Sequence, residues 1–204
     1  DFVQAMAKQG LILASSDPKR ALALLDEAYA VMSKAPVGSA YRNTYLIRLD
    51  ATAYYPLRAM NRPGEARARL QRAKEAASRT SEQDFKYGPM SHRELLNTAY
   101  AEEELASGFP NRALVAYREI LSQFRAHFQR SKIDDIADSY AMSLKLARVT
   151  EILRQTGNSS EADELEQERI AIWRKWMKSR PTNPFVLKQW DALRAAGLVG
   201  AQVQ

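Results

Sequence analysis

Asp134 and Asp138 stand four residues apart in a stretch with helical spacing, which sets two carboxylates on one helix face. With a third oxygen donor from elsewhere, such a pair would hold a divalent cation. A solvated helix face has the same spacing, and no third ligand is marked, so no metal site is expected. The two histidines, His92 and His127, lie far apart in the chain, and each reads as a packing or surface residue. Cysteine is absent, which removes disulfides, thiolate zinc sites and a cysteine nucleophile. There is no Gly-rich phosphate loop, no H-E-x-x-H, no G-x-S-x-G and no dinucleotide fingerprint. The sequence therefore nominates no catalytic residue and no cofactor, and the expectation is that the chain is not an enzyme.

Charge gives the next constraint. Glu102, Glu103 and Glu104 form an acidic run, and residues 161–168 carry five acids. Residues 58–79 hold seven basic residues against Glu65 and Glu75. Nucleic-acid binding would need aromatic residues interleaved with those bases for stacking, or a recognised motif, and neither is present. The net charge of +6 reads as a basic-biased surface with both signs interleaved. No stretch of 18 apolar residues exists, so no direct membrane insertion is expected. The chain opens on Asp1 instead of Met, which raises the expectation of a missing upstream part: a signal peptide, an anchor or a catalytic domain. Cysteine-free composition fits a cytoplasmic or an extracytoplasmic location equally.

The elements that position these residues announce themselves by repetition. Pro18 is followed by Ala21, Leu25 and Ala28; Pro63 by Ala66, Leu70 and Ala73; Pro110 by Ala113, Tyr117 and Ile120. A degenerate fourth copy runs Ser159, Ala162, Glu166, Arg169. Successive alanines are 45, 47 and 49 residues apart. Proline suits the first turn of a helix, where its missing N–H has no partner to lose. Offsets of three, seven and ten residues then keep one apolar stripe on one face, and the small alanine sits where two helices cross closely. Asn61, Gly108 and Gly157 precede the copies and suit the left-handed residue that ends a helix. The spacing predicts helices over 2–14, 18–33, 41–60, 63–79, 91–107, 110–127, 132–156, 159–178 and 184–196. Asp17 reads as a cap, and Ser131 with Asp134 and Asn158 with Glu161 read as capping boxes. Pro56, after Tyr54 and Tyr55, is expected to bend its helix or to leave a polar spot beside the two tyrosines.

The short turn followed by Pro-x-x-Ala-x-x-x-Leu/Tyr-x-x-Ala/Ile resembles the second helix of a tetratricopeptide repeat, best in residues 104–121 and next in 58–75. The period departs from the family's roughly 34 residues, which lengthens the helices and the connection over 78–90. The resemblance implies an all-α fold: one domain over 1–204, a right-handed superhelix of about four antiparallel pairs. These are residues 2–33, 41–79, 91–127 and 132–178, with a capping helix at 184–196. The tail, IAIWRKWMKSRPTNPFVLKQWDAL, resembles the ends of the tetratricopeptide regions that follow the kinase domain in some bacterial serine/threonine protein kinases.

In that family the first helix of each pair lines the concave groove. By register this implies groove positions Arg48, Ala51, Tyr55 and Arg58; then Leu95, Thr98, Glu102 and Leu105; then Leu144, Ala147, Glu151 and Arg154. Thr52, Leu95 and Ala99 stand where the chaperone-type subfamily has its carboxylate clamp, so no such clamp is expected. The implied function is a scaffold that binds a protein or peptide segment through Arg48, Tyr55, Arg58, Thr98, Glu102, Glu151 and Arg154. It would be the sensor or regulatory part of a larger signalling protein. The alternative is a self-associating module, a homodimer built through the stack or through an exposed tail patch at Trp173 or Trp176.

Overall fold

The computed structural model describes residues 2–36, 40–80, 91–130 and 135–199. Among the described residues every regular element is an α-helix and no strand occurs. The helices are α1 (Phe2–Leu13), α2 (Pro18–Ser33), α3 (Ala40–Ala59), α4 (Pro63–Ser78), α5 (His92–Ala106), α6 (Pro110–Arg130), α7 (Ile136–Gln155), α8 (Ser159–Ser179) and α9 (Pro184–Ala195). None of them is long and apolar enough to cross a membrane.

Local chemistry sets most of the ends. The Asp17 carboxylate accepts from the Arg20 N–H at 3.2 Å, and Pro18 opens α2. Ser91 Oγ accepts from the Glu94 N–H, and Asn183 Oδ1 accepts from the N–H groups of Phe185 and Val186. Asn61, Gly108, Gly157 and Gly197 all have positive φ. Each closes its helix with the same two bonds, for example Asn61 N–H to the Arg58 carbonyl (3.0 Å) and Arg62 N–H to the Leu57 carbonyl (2.9 Å). This double bond pattern satisfies carbonyls that a helix end leaves without partners.

One local expectation turns out differently, and one lies outside the described residues. Asn158 makes no side-chain cap bond; its amide donates to Thr156 Oγ1, while Glu161 is taken by Arg118 in two bonds of 3.0 and 2.6 Å. Helix α7 is capped by Asp135, which accepts from the Ala137 N–H at 2.7 Å; Ser131 and Asp134 lie outside the described residues. Helix α3 continues through Pro56, and Thr52 beside it is buried, which leaves no exposed polar spot at that residue.

The chain forms two compact units, residues 1–116 and 117–204, with the boundary inside α6. In the first unit, α1 packs on α2 and α3 on α4, each pair joined by a short turn that makes its helices antiparallel. Helix α3 is central and is buried on two sides. Tyr45, Leu49 and Ala53 pack with Val3, Met6 and Leu25 of α1 and α2. Ile47, Ala51 and Tyr54 pack with Ala66, Leu70 and Leu96 of α4 and α5. The α1–α2 crossing is close at Gly10: a Cβ there would lie 2.7 Å from Leu25 Cγ.

In the second unit, α7 packs on α8 and α8 on α9. Val186, Trp190 and Leu193 of α9 cover Ile170, Trp173 and Trp176 of α8. The Trp173 indole N–H donates to Ser143 Oγ at 2.8 Å. Trp173 is 1% exposed and Trp176 9%, so the tail carries no open tryptophan patch.

The four motif alanines, Ala21, Ala66, Ala113 and Ala162, are each 0% exposed and each is the fourth residue of its helix. In the first three copies the next two turns bury Leu25 and Ala28, Leu70 and Ala73, Tyr117 and Ile120. The fourth copy substitutes Glu166 and Arg169, whose charged groups approach to 2.5 Å without hydrogen-bond alignment. Arg154 Nη1 lies 3.9 Å from the other Glu166 oxygen.

Candidate functional site

The first unit gathers polar side chains along the contact between α3 and α5. Arg48 is buried, with Tyr45 and Glu94 as its electrostatic neighbours. Burial pulls its guanidinium below the usual arginine pKa, and the two neighbours act in the opposite direction. Thr98 is buried too, and its hydroxyl donates to Glu94 Oε1 at 3.0 Å. The His92 ring lies 5.6 Å from the Tyr45 ring, and its Nδ1 is buried with no partner among the described residues. Burial, aided by the nearby Arg48 charge, lowers the His92 pKa to about 4.

The groove expectation is therefore corrected at four positions. Arg48 and Thr98 lie inside the first unit, because α3 and α5 pack directly on one another and close over them. Ala51 and Leu95, assigned to the same face, are buried with them. Tyr55, Arg58 and Glu102 remain half-exposed at the edge of that contact. The Tyr55 ring meets Tyr54 edge-on at 5.2 Å, and burial together with the charges of Glu94 and Glu102 raises its pKa. Arg58 Nη1 is 3.7 Å from Glu103 Oε2, and Glu103 also accepts from Arg67 at 2.6 Å. Beside Tyr55, residues Leu11, Ala14, Ser15 and Ala59 line a hollow of about 300 Å³ open to solvent.

In the second unit, Leu144, Glu151 and Arg154 lie exposed on α7. Glu151 accepts from Arg148 at 2.6 Å, and Arg154 reaches Asp163 at 3.4 Å. Asp138 faces His127 Nε2 at 3.1 Å, and Asp134 lies outside the described residues. Among the described residues no three of His, Cys, Asp or Glu come together as metal ligands.

Comparison with protein-family models, curated proteins and solved structures finds no match. The functional reading accordingly rests on residues and geometry.

One cluster escaped the sequence reading. Asp50, buried on α3, accepts from Arg69 at 3.0 Å and from Arg72 at 2.6 Å. Arg69 also pairs with Asp26 of α2, and both arginines lie over the Tyr29 ring, at 5.8 and 5.1 Å. A carboxylate removed from water is tolerable only with partners of this quality. With Arg62 on Glu65 and both Arg58 and Arg67 on Glu103, five arginines of the 58–79 run are engaged within the unit. The available signal was an aspartate between Leu49 and Ala51, 19 and 22 residues before the arginine pair Arg69 and Arg72.

Proposed function

We propose that the chain is a tetratricopeptide-like array of helix pairs in a right-handed superhelix, serving as a protein-interaction scaffold within a larger signalling protein. The observation that carries this reading is the recurrence, at 21, 66, 113 and 162, of a fully buried alanine one turn into a helix. In three copies the residue that ends the preceding helix has positive φ. Such hairpins leave side chains of their first helices at the surface, where a peptide segment docks.

In the first unit the peptide lies along Tyr55, Arg58 and Glu102 and places an apolar side chain in the hollow beside Tyr55. Tyrosine and arginine are the residue types on which binding energy concentrates. Arg48 and Thr98 support that surface from beneath. Glu151 and Arg154 are candidate contacts in the second unit.

The test is an array of short synthetic peptides probed with the purified chain and with Ala59→Trp. Ala59 is exposed, so the indole fills the hollow without entering the core. Peptide capture by the parent chain, reduced at least about ten-fold by Ala59→Trp with unchanged melting, is the expected result. No captured peptide, or capture indifferent to Ala59→Trp, defeats the proposal. One observation favours a second reading, pairing of two copies: α1 exposes Phe2 (64%) and Ile12 (76%). Sedimentation of the chain and of Ile12→Lys decides it, since pairing through α1 is abolished by a charge at that position.

A further inference from the structure

Two hollows of about 250 and 160 Å³ lie side by side between α4 and α5, inside the first unit. They share Leu70, Lys74 and Tyr100, so they form one groove with a waist. Leu70 and Leu96 are buried and supply its apolar floor, and the Tyr100 ring, 40% exposed, stands beside them. The larger hollow falls short of the roughly 300–1,000 Å³ of small-molecule pockets. It admits one aliphatic side chain and excludes a cofactor of nucleotide size.

The polar groups on this groove set what else the occupant carries. Lys74 Nζ lies 5.2 Å from the Tyr100 ring centre, and Lys74 has no carboxylate partner among the described residues. A cation–π contact holds the ammonium in place but leaves its charge unneutralised. Asn97, half-buried at the larger hollow, makes no side-chain hydrogen bond among the described residues. Among those residues Glu103 is the only acid bordering the groove, and it is shared by Arg67 at 2.6 Å and Arg58 at 3.7 Å. Glu104, beside the Tyr100 hydroxyl, is met by Arg112, and Glu75 accepts from Gln71; neither acid borders the hollows. Lys74 therefore places an unmatched positive charge on the groove itself, next to a buried apolar floor. A carboxylate close to an aliphatic group complements both.

We infer that the α4–α5 groove docks an extended peptide segment of a protein partner, with Asp or Glu two residues from a Leu, Ile or Val. That spacing puts both side chains on one side of an extended segment. The aliphatic side chain rests on Leu70 and Leu96 against the Tyr100 ring. The carboxylate meets Lys74, and the Asn97 amide pairs with a backbone group of the segment. The groove shares no residue with the hollow beside Tyr55, so this inference and peptide capture there stand or fall separately.

The probe is a short Ser-Gly peptide with a central Leu-Ser-Asp and both ends blocked, titrated into the purified chain by calorimetry. Expected is saturable binding that weakens as salt rises. It falls at least about ten-fold when the Leu becomes Ser, when the Asp becomes Lys, and in the Lys74→Glu variant. Lys74→Glu is expected to prefer the peptide bearing Lys, and Ala59→Trp to bind the Asp peptide like the parent. Lys74 is exposed, so its variant is expected to melt like the parent. Absence of saturable binding overturns the inference, as does equal binding of the Asp and Lys peptides. So does binding indifferent to Lys74→Glu, binding lost in Ala59→Trp, or retention only by anionic phospholipid vesicles or single-stranded DNA.

Discussion

At the scale of single residues, His92 shows how burial turns an ordinary side chain into a pH-dependent contribution to stability. Its ring is packed on Tyr45, near the buried Arg48 charge, and its pKa falls to about 4. The unfolded chain takes up a proton near pH 6.5 that the folded chain refuses until about pH 4. Stability from this group is therefore complete above about pH 6.5 and is lost as pH falls toward 4. His92→Gln is expected to flatten the decline in melting temperature across that window; an unchanged slope counts against the assignment. None of this was legible in the sequence, where a lone histidine at the start of a helix has no visible neighbours. The same holds for Asp50, whose arginine partners come from a different helix. By contrast Asp17, a cap acting three residues down its own chain, was readable directly.

At the scale of elements, what the sequence reveals is what adjacent residues decide among themselves. Prolines, caps and left-handed stops are local, and the predicted helix ends lie within a few residues of those in the structure. The exception at Asn158 has a tertiary cause: Arg118 on α6 competes for the glutamate that a capping box needs. Helix crossings carry another tertiary constraint. In a free helix, Gly10→Ala would gain up to about 1 kcal/mol from propensity. Here the new Cβ meets the side chain of Leu25, itself 1% exposed, at 2.7 Å. Overpacking of this kind costs about 1–3 kcal/mol, so Gly10→Ala is expected to lower stability on balance. A denaturant melt shows it; a rise in midpoint means that Leu25 repacks without strain.

At the scale of the whole molecule, the question is which helical faces stay in contact with water, and family register alone answered it incompletely. Register places Arg48, Thr98, Glu151 and Arg154 alike on a groove-facing side of their helices. Exposure separates them, because the contact between α3 and α5 closes over the first two, whereas the α7 surface carrying the last two is open. The distinction depends on which helices are neighbours, and no stretch of sequence carries that information. It has a measurable consequence. Arg48→Glu places an anion beside the buried Glu94 and removes the nearby positive charge, a change that costs about 3 kcal/mol or more. Arg154→Glu alters an exposed helix surface, where substitutions stay within about 0.5 kcal/mol plus a modest repulsion from Asp163 and Glu166. The first variant is expected to lower the melting temperature strongly and the second only slightly, so that only Arg154→Glu remains informative in a capture experiment. Comparable melting of the two proteins would mean that Arg48 reaches solvent, and would return it to the binding surface.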